Sequence, residues 1–127
     1  MTLPAAAAKP AANVLPSVAQ ALAELEAQLG REVLPDVIAL ALGMTRELEP
    51  QLAPLLQAQD GDALARVAHK LKGTVAQIGA DDAARALKEL ELSARGGDWA
   101  TSASALHQAR QALQQLCRYL ADCQNQG

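Results

Sequence analysis

The sequence predicts an all-α protein, an antiparallel up-down four-helix bundle with an extra short N-terminal helix, and three observations carry the prediction. Apolar residues recur at spacings of three and four in successive segments, and no alternating, strand-like pattern occurs. Ala and Leu dominate, Trp99 and Tyr119 are the only aromatics, and half of the residues are hydrophobic, the composition of helices packed on helices. Short Gly- and Asp-containing connections make successive helices antiparallel neighbours. A chain of 127 residues suits one domain with one core and leaves no room for a second of enzymatic size.

Residues 1–15, with Pro4, Pro10 and an Ala run, read as an extended or disordered linker; the bundle is expected over 16–124, and 125–127 as a tail. Ser17 is the expected N-cap of a first helix of roughly 17–29, with Val18, Leu22, Leu25 and Leu29 on its apolar face and Gly30 as its stop. A second helical stretch runs from about Arg31 to Gln59. Pro35 suits a first turn, but Pro50 and Pro54 each remove a backbone donor and clash with the preceding turn, so a break or bend is expected near 48–54. The third helix follows Asp60-Gly61-Asp62, whose carboxylates suit a positive helix terminus, and ends at Gly79. The fourth starts at Asp81 or Asp82, buries Ala83, Leu87, Leu90 and Ala94, and closes at Gly96-Gly97. Asp98 caps a fifth helix of about 99–123 with Trp99, Ala103, Leu106, Leu113, Leu116 and Leu120 as its buried stripe.

The bulk numbers exclude several function classes. A formal net charge of −3 lacks the basic stripe of a nucleic-acid binder. No apolar run reaches the roughly 20 residues that span a bilayer, and the Pro-interrupted leader lacks the basic region of a secretory signal. Cys117 and Cys123 lie on different faces of one helix, about 9 Å apart along its axis, so they cannot bridge each other within it. Two reduced thiols in a cytoplasmic protein is the expectation, with no Cys/His cluster pointing to a metal.

The third helix carries the chemistry. With about 100° per residue and Leu71 at zero, Leu64, Val67, Ala68, Leu71, Val75 and Ile78 fall within roughly 60° of one direction, the core. His69 falls at about 160° and Gly73 at about −160°, with Lys70 and Lys72 flanking them. The imidazole therefore points to water between two ammonium groups. An exposed glycine inside a helix costs about 1 kcal/mol relative to alanine, and the simplest reason for Gly73 is clearance, because residues at i and i+4 are stacked neighbours. An ordinary imidazole titrates at about pH 6.5, so a neutral nitrogen nucleophile is available near pH 7. It can accept a phosphoryl group, with the lysines stabilising the charge on its oxygens. The alternative for such a histidine is a solvated helix face without chemistry.

The run His69-Lys70-Leu71-Lys72-Gly73, followed by Ile78-Gly79-Ala80, Leu90-Glu91 and Ala94-Arg95, resembles the histidine-containing phosphotransfer (HPt) domains of multistep phosphorelays over roughly residues 17–123. The resemblance implies a carrier rather than a stand-alone enzyme. Its histidine takes a phosphoryl group from the aspartate of one receiver domain and passes it to another, with Mg²⁺ supplied by the receiver and no cofactor of its own. Carried over, His69 is the phospho-acceptor, Lys72 steadies the phosphate, Gly73 gives clearance, Lys70 adds charge, and Arg95 supports from the fourth helix, where it can pair with Glu91 at i, i+4. A carboxylate beside a phosphohistidine would repel it, so no direct phosphate contact is expected from Glu91. The implied partners are receiver domains of response regulators or hybrid sensor kinases. They dock on an apolar surface beside the histidine, for which Ala65, Thr74 and Ala76, with Val33, Val37 and Ala41 of the second helix, are candidates; for those last three a core position is the competing assignment. A monomer is expected, cytoplasmic or tethered to a membrane sensor kinase, and the Ala/Pro leader favours the end of a hybrid kinase over a free-standing module.

Two other readings compete. A histidine-kinase dimerisation fragment also carries an exposed histidine, but usually follows it with an acid and, shortly after, a proline, where this chain has Lys70 and no nearby proline. An inert helical interaction module would leave His69 incidental. His107 lacks a glycine at i+4 and flanking lysines and reads as a boundary residue, Asp81-Asp82 as helix-start capping, and Trp99 as a core anchor.

Overall fold

The computed structural model describes residues 15–126, which form five α-helices and one 3-10 turn and contain no strand. The helices are α1 (Pro16–Leu29), α2 (Leu34–Gln57), α3 (Gly61–Gln77), α4 (Asp81–Arg95) and α5 (Trp99–Gln126), with the turn at Arg31–Val33 leading into α2. The four longest pack in a ring, α2 on α3, α3 on α4, α4 on α5 and α5 back on α2. Apart from Leu15, the expected linker over 1–15 lies outside the described residues, and α5 extends through Gln126 into the stretch read as a tail.

α1 begins with Pro16 at its first position, where a missing N–H costs nothing. Ser17 is not its cap. The Ser17 hydroxyl instead donates to the Gly79 carbonyl at 2.6 Å, tying α1 to the turn between α3 and α4. Gly79 has φ +78°, and a Cβ there would collide with the Ser17 carbonyl and the Ala21 methyl, so only glycine fits this crossing. Val18 and Leu22 are buried as expected, whereas Leu29 is 56% exposed at the end of the helix, where Gly30 (φ +100°) turns the chain away.

The expected break near 48–54 is absent: α2 runs unbroken through Pro50 and Pro54. Both prolines are exposed, so the missing N–H groups interrupt the helix ladder on its solvent side, while Leu48 and Leu52 keep the buried register. Tertiary packing keeps the helix continuous where local chemistry alone would break it.

Asp60 caps α3, its Oδ1 accepting from the Ala63 N–H at 3.2 Å, and Leu64, Ala68, Leu71, Val75 and Ile78 are buried as the periodicity requires. α4 buries Ala83, Leu87, Leu90 and Ala94. Asp98 caps α5, accepting from the Thr101 N–H at 3.1 Å and the Thr101 hydroxyl at 2.6 Å. Its carboxyl is held below the usual range by these two hydrogen bonds, the hydroxyl's foremost. In α5 Ala103 is exposed rather than buried and Trp99 only partly covered, while Ser102, Ala105 and Ala109 join Leu106, Leu113, Leu116, Tyr119 and Leu120 in the core. The buried stripe is rotated slightly from the expected one, and the inward-facing Ser102 pairs with Ser93 of α4 at 2.8 Å.

Candidate functional site

α3 and α4 bring the site together. The amphipathic register of α3 leaves His69 on the outer face, its side chain 64% exposed, while α4 presents Glu91 from the edge of its buried stripe, with a side chain only 11% exposed. The Glu91 carboxylate collects three donors. His69 Nδ1 lies 3.1 Å from Oε2 and 3.2 Å from Oε1. Lys72 Nζ donates to Oε1 at 3.1 Å, and Arg95 Nη2 donates to Oε2 at 3.4 Å across one turn of α4.

Burial alone would raise the Glu91 carboxyl, but hydrogen bonds from Lys72 and His69, reinforced by their charges, outweigh it and hold the group below its usual value. Glu91 is thus an ionised acid with acceptors only. The contact with His69 is then a hydrogen bond only if Nδ1 carries the proton, which in the neutral imidazole leaves Nε2 as the unprotonated nitrogen of an exposed ring.

Of the residues singled out in the sequence, His69, Lys72 and Arg95 converge on this carboxylate. Lys70 is exposed and makes no ion pair among the described residues; its backbone carbonyl accepts from the Thr74 hydroxyl at 3.2 Å. Gly73 is exposed, and a Cβ built there meets nothing within 4 Å, so a methyl at 73 would not touch the ring. The opening there exceeds what the imidazole needs.

Glu91 is the residue that sequence reasoning undervalued. Its signal was present, an acid one turn after Leu87 on the face that buries Leu90 and Ala94, but its partner on α3 was not legible. Among the expected docking residues, Ala65 and Ala41 are buried at 0% and 3% and belong to the core, because they lie on the faces that α3 and α2 turn inward. Val33, Val37 and Thr74 are partly buried and Ala76 is exposed. The apolar surface instead includes Leu40, 64% exposed, and Met44, whose sulfur lies 3.5 Å from the Thr74 hydroxyl. Gly43 lies between them, with open space at its Cβ position. His107 is exposed, and no cluster of three or more His, Cys, Asp or Glu that could hold a metal ion occurs among the described residues. No described helix is long and apolar enough to cross a membrane.

The family model for the Hpt domain matches residues 11–119. No curated protein and no solved structure matches the chain significantly.

Proposed function

We propose, from the premise that the chain belongs to the Hpt domain family of phosphorelay histidine carriers, that His69 is the phospho-acceptor and that it exchanges phosphoryl groups with receiver-domain aspartates. The observation that carries this reading is the bond from His69 Nδ1 to the Glu91 carboxylate at 3.1 Å. With Nδ1 protonated, the Nε2 lone pair attacks the phosphorus of an aspartyl phosphate. The P–N bond forms as the acyl phosphate P–O bond breaks, and the aspartate leaves as a carboxylate. The ring then bears positive charge, which Glu91 stabilises through Nδ1–H from the side away from the phosphoryl group. The repulsion between a carboxylate and phosphohistidine is thereby avoided.

Lys72, paired with Glu91 in the unphosphorylated chain, steadies the phosphoryl oxygens on transfer, with Lys70 adding charge and Arg95 support from the fourth helix. Gly73 keeps space open for the phosphoryl group and the approaching receiver. Mg²⁺ comes with the receiver. The receiver covers Leu40, Gly43, Met44 and Ala76 beside the histidine helix. The four long helices are read as running alternately up and down, as short connections require, within a monomeric cytoplasmic module. The match to the Hpt family supports this over a kinase dimerisation fragment.

The experiment is to mix the chain with a phosphorylated receiver and Mg²⁺. Acid-labile, alkali-stable phosphate is expected on the chain and none on the His69→Gln variant. Label that survives acid, or that persists in the variant, contradicts the assignment.

A further inference from the structure

A groove of about 420 Å³ runs between α2 and α5. Since α3 and α4 carry the His69–Glu91 site and α2 and α5 close the ring from the other side, this groove lies on the opposite face of the bundle. Its floor is apolar, with Leu113 buried and Pro50 and the partly buried Cys117 beside it. Its rims are cationic. Arg46 on α2 and Arg118 on α5 are exposed and make no ion pair among the described residues, while the one lining acid, Glu49, is already paired with Arg110 at 2.9 Å. On a chain of net charge −3, two uncompensated guanidinium groups therefore flank an apolar slot.

A ligand that fits this surface supplies carboxylates for the guanidiniums and apolar groups for the floor. A simple inorganic anion supplies no apolar group, and a fatty acid only one carboxylate for two guanidiniums on opposite rims. A polypeptide supplies several of each.

We propose that the α2–α5 groove binds an acidic, amphipathic peptide segment of a partner protein, independently of the phosphoryl site. Charge complementarity makes the choice, since guanidinium groups pair with carboxylates in planar, two-pronged geometry. A segment of this kind lays its apolar side chains into a slot between two helices.

The test titrates the isotope-labelled full chain by NMR with a synthetic amphipathic peptide bearing glutamates on its polar face. A matched peptide with lysines in their place and sodium phosphate are run alongside. The acidic peptide is expected to shift Thr45–Pro50 and Leu113–Arg118 resonances and to leave His69 unmoved. In the Arg46→Glu/Arg118→Glu variant, affinity for the acidic peptide falls about tenfold while the lysine peptide gains binding. That exchange of preference separates a docking surface from a folding defect, and phosphorylation of His69 in the same variant is expected to be unchanged. Shifts clustered around His69 and Lys70, equal binding by the double variant, or the same shifts from phosphate alone would overturn the proposal.

Discussion

Glu91 accepts from an imidazole, an ammonium and a guanidinium at once, and the three donors differ in exposure, with side chains 64%, 26% and 53% exposed. Because all three reach solvent, removing the carboxylate strands no buried charge. Glu91→Ala should therefore cost only about 1 kcal/mol of stability, measurable by urea denaturation. Its effect on transfer should be larger, a fall of about 10- to 100-fold, by analogy with the loss of the carboxylate that orients a metal-bound histidine. Glu91→Gln keeps an oxygen that accepts from Nδ1–H but loses the charge that stabilises the imidazolium, so its rate should fall less than that of Glu91→Ala. Equal loss in both variants would show that charge rather than ring orientation matters. The same carboxyl carries a pH signature. Its value in the folded state lies below the ordinary 4.5, so its contribution is complete above that value and disappears as pH falls through the lower, folded one. Thermal unfolding followed from pH 6 downward should show wild type losing more stability on acidification below that ordinary value than Glu91→Gln does. At this scale the wheel of α3 was enough to place His69, Lys70 and Gly73 on the outer face. It could not pair Lys72 with Glu91, because that contact depends on the relative rotation and axial offset of two helices, which neither helix encodes alone.

Each helix was legible where its own caps and periodicity decide it, as at Asp60 and Asp98, and misread where another element intervenes. The prolines of α2 mark the limit. Local chemistry breaks a helix at Pro50 and Pro54, yet the ring of helices burying Leu48 and Leu52 keeps it continuous. The strain should be recoverable. Pro54→Ala restores a donor for the Pro50 carbonyl and should stabilise the fold by about 2 kcal/mol, after allowance for the added freedom of the unfolded chain; no gain in urea midpoint would mean that α2 is relaxed around the proline. Ser17 was misread for a similar reason, since a serine at a helix start caps by default, but here its hydroxyl has a partner 62 positions away in Gly79. Gly79→Ala should loosen α1 from the α3–α4 turn, seen as faster amide exchange in Val18–Leu22, while the α4–α5 core remains protected.

The whole molecule divides its work between two faces of one bundle. α3 and α4 expose the histidine and hold its orienting acid, while α2 and α5 hold a separate cationic groove, and the shared core of Leu64, Leu71, Leu87, Leu113 and Leu120 keeps both in place. The fold class was visible in composition and periodicity because a helical bundle is specified by patterns repeated along the whole chain. The site depends on a few side chains meeting across helices, so only its exposed half could be read from one strand of sequence. The account rests on which nitrogen of His69 is the nucleophile. Phosphorus and nitrogen NMR of the chain phosphorylated by a receiver measures this directly. Phosphate bonded to Nε2, with the Nδ1 proton still present and held by Glu91, is the predicted result; phosphate on Nδ1, or on any residue other than His69, would contradict it.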